Sequence, residues 1–425
     1  MKDKSKVLPH YLKPEELRVG IFVELDLAWF KHNFALSSFK IHSESQLREV
    51  LALKLTRYRY DPERSDAPVE QPSLKTAESV PVEPMIIDDP VLQRELQRKI
   101  FLAQREIKII AVEKAFTHAT SVMKNLNRNL LSKPNETLGQ MGTFVGEMVS
   151  NFLEGLEITL HVMDEKVGGE DVYYHSLNVT ILAMILAKEL GFSSEMAHEL
   201  GIGAMIHDIG LTKIPERVSN KDVSECTIAE RNWRATHVAL GIEIGRDAGV
   251  STEALAIIAQ HHELADGSGY PNGLKEAEMT PAARLVSLVN YYDNLCNPND
   301  ISKAVTPHEA LSLMFAQRRS KFEARSLALL IHKLGVYPPG SIVQLSNEMV
   351  ASVISVNPKR SLRPCVMVYD PKVSKEKAIV LDLELETGIS ISKAIRPTAL
   401  PPKVLAYLCP RKRVTYFFDI LEGHK

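Results

Sequence analysis

Histidines and aspartates set in apolar surroundings are the residues of this chain best suited to chemistry. His175, His207, His237 and the adjacent pair His261 and His262 fall in apolar or glycine-rich stretches. Taken singly, each is accounted for by a ring proton donated to a backbone carbonyl. Their company adds a second reading. In GIGAMIHDIG, His207 and Asp208 close an apolar run just before Gly210, where an unpaired charge is costly and a metal ion would remove the cost. In QHHELADGSGYPNGL, two imidazoles precede a loop with Gly267, Gly269 and Gly273, which lets backbone approach a ligand closely. Asp293 stands among apolar and aromatic residues near the C-terminal end of a helix begun at Pro281, where the helix dipole disfavours an anion. Coordination of a cation explains that placement, and a hydrogen-bonded structural carboxylate is the alternative. Five imidazoles and two carboxylates without a thiolate suit iron, manganese, nickel or zinc. They outnumber the ligands of one tetrahedral site, so two ions are the natural count.

The elements that must carry these side chains read as helices. Between Asp171 and about Gly335, N-caps are marked by Ser193 and Ser194, by Ser251, by Thr280 before Pro281, and by Thr306 and Pro307 with Glu309 completing a capping box. Caps and period together predict five to seven helices. Upstream, residues 91–131 and 136–167 carry apolar residues at helical spacing, as packing or dimer-forming struts. Before them, Pro68, Pro72, Pro81, Pro84 and Pro90 make an extended linker, and residues 1–66 read as a small α+β module with a short helix from Ser43 to Leu53. After Tyr337-Pro338-Pro339-Gly340, the runs SIVQL, ASVISV, CVMVYD and KAIVLDL predict a small C-terminal sheet. The expected plan is therefore an accessory domain at 1–66, a linker at 67–90, connecting helices at 91–170, a helical domain at 171–340 and a β-rich segment at 341–425.

Composition narrows the function classes. The 425 residues carry 51 Lys and Arg against 53 Asp and Glu, which argues against a nucleic-acid binder acting through a bulk positive field. The one basic cluster near the end, Arg411, Lys412 and Arg413, has no interleaved aromatics and reads as a solvated face, so no nucleic-acid partner is expected. Cys226, Cys296, Cys365 and Cys409 lie far apart, without a disulfide framework or a thiolate zinc site. The N-terminus lacks the apolar core of a signal peptide. The longest clean apolar run, Ile181 to Ala187, is far short of a membrane span, so a cytoplasmic location is expected.

With His207-Asp208, His261-His262-Glu263, Asp266-Gly267-Ser268-Gly269-Tyr270-Pro271 and Leu334-Gly335-Val336-Tyr337-Pro338-Pro339-Gly340, the stretch from Asp171 to Asn347 resembles the HD-GYP family of bacterial cyclic di-GMP phosphodiesterases. HD followed at this distance by HHE and DGSGYP has few competing explanations. LKPEELRVGIFVELD resembles the small N-terminal domain of some members. The resemblance implies a mainly α chain with an all-helical HD-type phosphohydrolase core, the small α+β N-terminal domain and the β-rich C-terminal segment. It implies metal ligands at His175, His207, Asp208, His237, His261, His262 and Asp293, with His207 and Asp208 at the catalytic centre and Asp208 bridging two ions, iron or manganese foremost. Asp171, four residues before His175 and on the same helical face, lies where some members hold a third metal with a glutamate. Gly269, Tyr270 and Pro271 would flank the substrate and offer contacts to GGDEF-domain proteins. The implied reaction is attack by a metal-activated hydroxide on one phosphodiester of cyclic di-GMP, giving pGpG, or GMP after a second round.

The sequence also departs from that family. Where members read HDxGK, Leu211 replaces the lysine and supplies neither charge nor proton. After Asp293 no PYR-type arginine follows, and Lys303 is the nearest substitute for phosphate binding. Three readings follow: a working phosphodiesterase, a low-activity cyclic di-GMP sensor or scaffold, and a phosphohydrolase for another nucleotide. The sequence leaves the metal, the final product, the sensed signal and any homodimer open.

Overall fold

A computed structural model describes residues 10–25, 38–66, 116–162, 172–356, 360–408 and 414–421, apart from a few single residues or pairs within these ranges. The proline-rich linker, Asp171 and the cluster Arg411 to Arg413 lie outside the described residues. The chain divides into two compact units, Met1–Lys114 and Ala115–Lys425.

In the first unit, β1 (His10–Leu12), β2 (Phe22–Glu24), β3 (Ser38–Lys40) and β4 (Tyr58–Asp61) form an antiparallel sheet in the order β1-β4-β2-β3. Helix α1 (Glu44–Leu51) starts where Ser43 Oγ accepts the Gln46 amide, as the sequence predicts. Leu17, Ile21, Val23, Ile41, Val50 and Tyr58 are buried in its core.

The second unit opens with helical residues 116–126 and α2 (Pro134–Glu154), followed by β5 (Glu157–Val162). Then come α3 (Val172–Glu189), α4 (Ser194–Ile206), α5 (Glu216–Ser219), α6 (Ile228–Ala235), α7 (His237–Asp247), α8 (Thr252–Gln260), α9 (Pro281–Cys296), α10 (Pro307–Gln317) and α11 (Ala324–Leu334). These nine helices exceed the predicted count, because α5 is a single turn and only Thr236 separates α6 from α7. The predicted caps are observed: Ser193, Ser251, Thr280 and Thr306 accept the amides of Met196, Ala254, Ala283 and Glu309. Helix α3 is apolar nearly all round, with Leu177, Val179, Ile181, Leu182 and Leu186 buried, so it forms the central strut. Helix α4 packs on it and on α8, and α9 packs on α3 and α8.

The C-terminal strands are β6 (Ile342–Leu345), β7 (Val350–Val356), β8 (Cys365–Val368), β9 (Ile379–Asp382), β10 (Ile391–Ile395) and, after helix α12 (Pro402–Leu408), β11 (Tyr416–Leu421). The predicted runs become β6 to β9. Strand β5, within a stretch read as helix, joins the same antiparallel sheet between β7 and β11. Glu157-Ile158-Thr159-Leu160-His161-Val162 alternates apolar and polar residues, a period of two that the neighbouring helical pattern hides. The described part of the connector, from residue 116, therefore shares one compact unit with the helical domain and the C-terminal segment, and residues 91–115 lie outside the described residues.

Candidate metal centre

Three of the five imidazoles sit at the ends of helices, where a backbone carbonyl three residues earlier is still within reach. His207 caps the C-terminus of α4, with Nδ1 2.7 Å from the Ala204 carbonyl oxygen. His237 opens α7 with Nδ1 2.6 Å from the Arg234 oxygen, and His261 caps α8 with Nδ1 2.7 Å from the Ile258 oxygen. Each carbonyl takes the Nδ1 proton, which leaves every Nε2 as a lone pair directed inward. His175, on the first turn of α3, has Nδ1 2.6 Å from Asp293 Oδ2, and although burial works against its charged form, Asp293 and Asp208 outweigh it and raise the pKa of the ring.

The Nε2 atoms face one another. Nε2 of His175 lies 3.2 Å from Nε2 of His207, and Nε2 of His237 lies 3.1 Å from Nε2 of His261. With Nδ1–H given to a carbonyl, a neutral ring at His207, His237 or His261 brings no proton to its Nε2. Asp208 stands between the pairs. Its Oδ1 is 3.2 Å from His237 Nε2 and 3.4 Å from His261 Nε2, while its Oδ2 is 3.5 Å from His207 Nε2 and 3.8 Å from His175 Nε2. Oδ1 is buried and has no hydrogen-bond partner. An orphaned carboxylate oxygen among opposed lone pairs is the donor set a cation completes. Two overlapping groups result, Asp208 with His237, His261 and His262, and Asp208 with His175 and His207.

Electrostatics keep the donors in the form that binds. Burial drives the His261 imidazolium down to about 4 and His262 well below its usual value, so both rings are neutral at pH 7. Burial works against the Asp208 anion, while charge on His207 and N–H donation from His207, His237 and His261 in their protonated forms hold its carboxyl well below the usual range; with the rings neutral, a cation takes over that role.

Glycines let the pieces close. A Cβ on Gly210 would fall 1.9 Å from the His237 carbonyl oxygen and 2.6 Å from the Gly241 nitrogen, so the turn after Asp208 packs directly on the start of α7. A Cβ on Gly269 would fall 2.5 Å from Glu263 Cα. That contact seats the GYP loop against His262, where Tyr270 stacks on the imidazole with ring centres 4.5 Å apart and a 21° tilt. Glu263, fully buried, accepts the Asn272 amide at 2.7 Å and the Leu274 amide at 2.9 Å and so ties down the far side of the loop. In the sequence Glu263 is only the third residue of HHE, and this anchoring role becomes visible from its loop partners.

Two residues that the sequence assigns to the site stand apart from the two donor groups. Asp293 stands behind His175 and outside both donor groups. Its Oδ2 accepts from His175, and its Oδ1 accepts from Asn178 Nδ2 at 2.8 Å and Asn297 Nδ2 at 2.9 Å, so both oxygens are taken. Those amides also make its unfavourable place on α9 tolerable. Lys303 is committed elsewhere, with Nζ 2.9 Å from Glu225, 3.1 Å from Asp222 and 3.7 Å from Asp300. Three carboxylates neutralise the charge assigned to phosphate. The third-metal expectation rests on Asp171, outside the described residues. Leu211 is half-buried on the short turn Ile209–Lys213 that follows Asp208. Among the described helices none is long and apolar enough to cross a membrane.

Residues 126–326 match the HD domain family, and residues 12–140 match a domain of unknown function, DUF3391. The chain is 24% identical over 366 residues to the cyclic di-GMP phosphodiesterase PA4108 of Pseudomonas aeruginosa, covering 85% of each protein. It is 30% identical over 205 residues to a cyclic di-GMP phosphodiesterase of Thermotoga maritima, covering 46% of this chain and 53% of that one. It is 28% identical over 158 residues to a 3'3'-cGAMP-specific phosphodiesterase of Vibrio cholerae, covering 36% and 35%. Among solved structures, the HDG"Y"P protein Bd1817 of Bdellovibrio bacteriovorus aligns over 76% of this chain and 98% of that one, with a TM-score of 0.43 and 17% identity. An HD dipeptide whose aspartate joins two groups of histidines, a GYP loop stacked on the second group, the HD domain match and the relative that spans 85% of the chain together support its assignment to the HD-GYP family.

Proposed function

We propose that the chain is a metal-dependent phosphodiesterase that opens cyclic di-GMP to pGpG, with GMP as the product of a second round. The observation that carries this reading is Asp208, which offers one oxygen to His175 and His207 and the other to His237 and His261. His175, His207 and Asp208 would hold one ion, and Asp208, His237, His261 and His262 the other, with iron or manganese foremost and nickel or zinc as alternatives. When bound, such a pair supplies an acidified water as nucleophile and neutralises charge developing on the phosphodiester oxygens. The chain's own residues do the positioning. Carbonyl-locked imidazoles keep the lone pairs aimed at one place. Tyr270, 39% exposed and backed by His262, presents an aromatic face on which a purine of the substrate stacks. Gly269 and Pro271 hold that ring in place.

A second reading, a cyclic di-GMP sensor with little turnover, is favoured by Leu211 and by the ion pairs that occupy Lys303. Single-turnover cleavage by iron- or manganese-loaded protein, run beside equilibrium binding, separates the two. Cleavage supports the enzyme. Tight binding without cleavage supports the sensor, and neither with cyclic di-GMP but cleavage of 3'3'-cGAMP moves the substrate to a different dinucleotide. Absence of bound metal and of cleavage under anaerobic loading would overturn the proposal.

A further inference from the structure

Behind His175 runs a buried polar relay that ends on the last described strand. Asn178 lies three residues after His175 on α3, and Asn297 lies four residues after Asp293 at the end of α9. Each carboxamide makes the same set of contacts. Asn178 Nδ2 donates to Asp293 Oδ1 at 2.8 Å and to the Val414 carbonyl oxygen at 2.9 Å, while its Oδ1 accepts the Tyr416 amide at 2.8 Å. Asn297 Nδ2 donates to Asp293 Oδ1 at 2.9 Å and to the same Val414 oxygen at 2.8 Å, while its Oδ1 accepts the Val414 amide at 2.7 Å. The two side chains clasp the backbone of residues 414 and 416 from both sides. Both nitrogens meet at one carboxylate oxygen.

The energetics of burial make this relay directional. Asn178 and Asp293 are fully buried, so every unfilled donor or acceptor here carries its whole desolvation penalty. Without the Val414 and Tyr416 backbone groups, each amide loses two of these three bonds and is free to turn away from Asp293. Asp293 then keeps only its bond to His175, and neither that carboxylate nor the tilt of the ring is fixed from behind. Orientation of an imidazole ligand by such a partner is worth a measurable part of metal affinity. We propose that Asn178 and Asn297, held by the backbone at Val414 and Tyr416, are positioning residues for His175, so that the C-terminal strand is a working part of the centre on the His175 side. This rests on the metal reading of the site.

Full-length Asn297→Ala and Asn178→Ala proteins, freed of metal, should be titrated with Co(II) while visible absorption and heat are recorded. Wild type should bind two ions. Each variant should weaken one ion by about 10- to 100-fold, with altered absorption bands for that ion, and leave the other unchanged. Val343→Ala, in the core of the C-terminal sheet and away from the relay, is the control: it should lower thermal stability without changing either affinity. Asn297 is only partly buried, so Asn297→Ala carries the test if Asn178→Ala does not fold. A wild type that takes up two ions, with both affinities and bands retained in Asn297→Ala, would overturn the inference alone. So would an equal loss in Val343→Ala, which would mark general loosening. A wild type that binds no ion would overturn the metal reading as well.

Discussion

At position 211 a leucine stands three residues after Asp208, on the turn that delivers that carboxylate to both histidine groups. A lysine there would add charge that counts more as the phosphodiester becomes the transition state than when it first binds. Leu211→Lys should therefore raise the single-turnover rate by roughly ten- to a thousandfold with little change in dissociation constant, measured with metal content and melting temperature on the same preparation. An unchanged rate in a folded, metal-loaded variant would remove this position as the limit. Glu263 predicts a different split. Glu263→Gln turns one acceptor of a loop amide into a donor facing a donor, at about 1–3 kcal/mol. Cyclic di-GMP affinity should fall while two-ion binding persists, and loss of metal with retained substrate affinity would contradict this. The imidazoles were legible in the sequence because a donor type is written in the residue itself. Roles that depend on partners were not. Lys303 reads as a free cation until Asp222 and Glu225, some 80 residues earlier, are seen on its ammonium. Asp293 reads as an isolated carboxylate until Asn178 and Asn297 are seen on its Oδ1. The spacing of those asparagines, three and four residues from His175 and Asp293, was the available sign.

Helix starts were read well because a cap is a local transaction between a hydroxyl and an amide three residues on. Thr306 shows its weight: its Oγ1 accepts the Glu309 amide, and Glu309 Oε2 returns to the Thr306 amide at 3.3 Å. Thr306→Ala should cost about 1 kcal/mol in urea denaturation and leave metal content and turnover alone, since α10 itself carries no residue of the two donor groups. A change in metal content would mean that the helix reaches the centre after all. Strand β5 escaped the same kind of reading. Its alternating residues acquire meaning only from the antiparallel partners β7 and β11, which the local sequence does not contain. Helices α5 and α6 escaped for the opposite reason, being too short for a period to show.

Across the second unit, the C-terminal strand meets the helical core through a buried pair of phenols. Tyr292 and Tyr416 lie Oη to Oη at 2.8 Å, and burial pushes both hydroxyls and the nearby Cys296 thiol well above their ordinary values. All three are raised in the fold, so the unfolded chain releases its protons first as pH climbs. Their contribution is complete below the unfolded values, about 8.5 for Cys and 10 for Tyr, and is lost as pH rises beyond them. Stability to urea should thus fall steeply between about pH 9 and 11, and Tyr292→Phe with Tyr416→Phe should flatten the fall. An equally steep fall in that double variant would assign the effect elsewhere. The register of β5 with β11 also has a kinetic side. Pairing Val162 with Tyr416 closes a loop on the order of 250 residues, whose chain entropy costs several kcal/mol before any contact repays it. Helix α4 packs on its sequence neighbour α3, and even α9 closes a shorter loop onto α3 than β11 does onto β5, so the strand that completes the asparagine clasp is expected to dock late in folding.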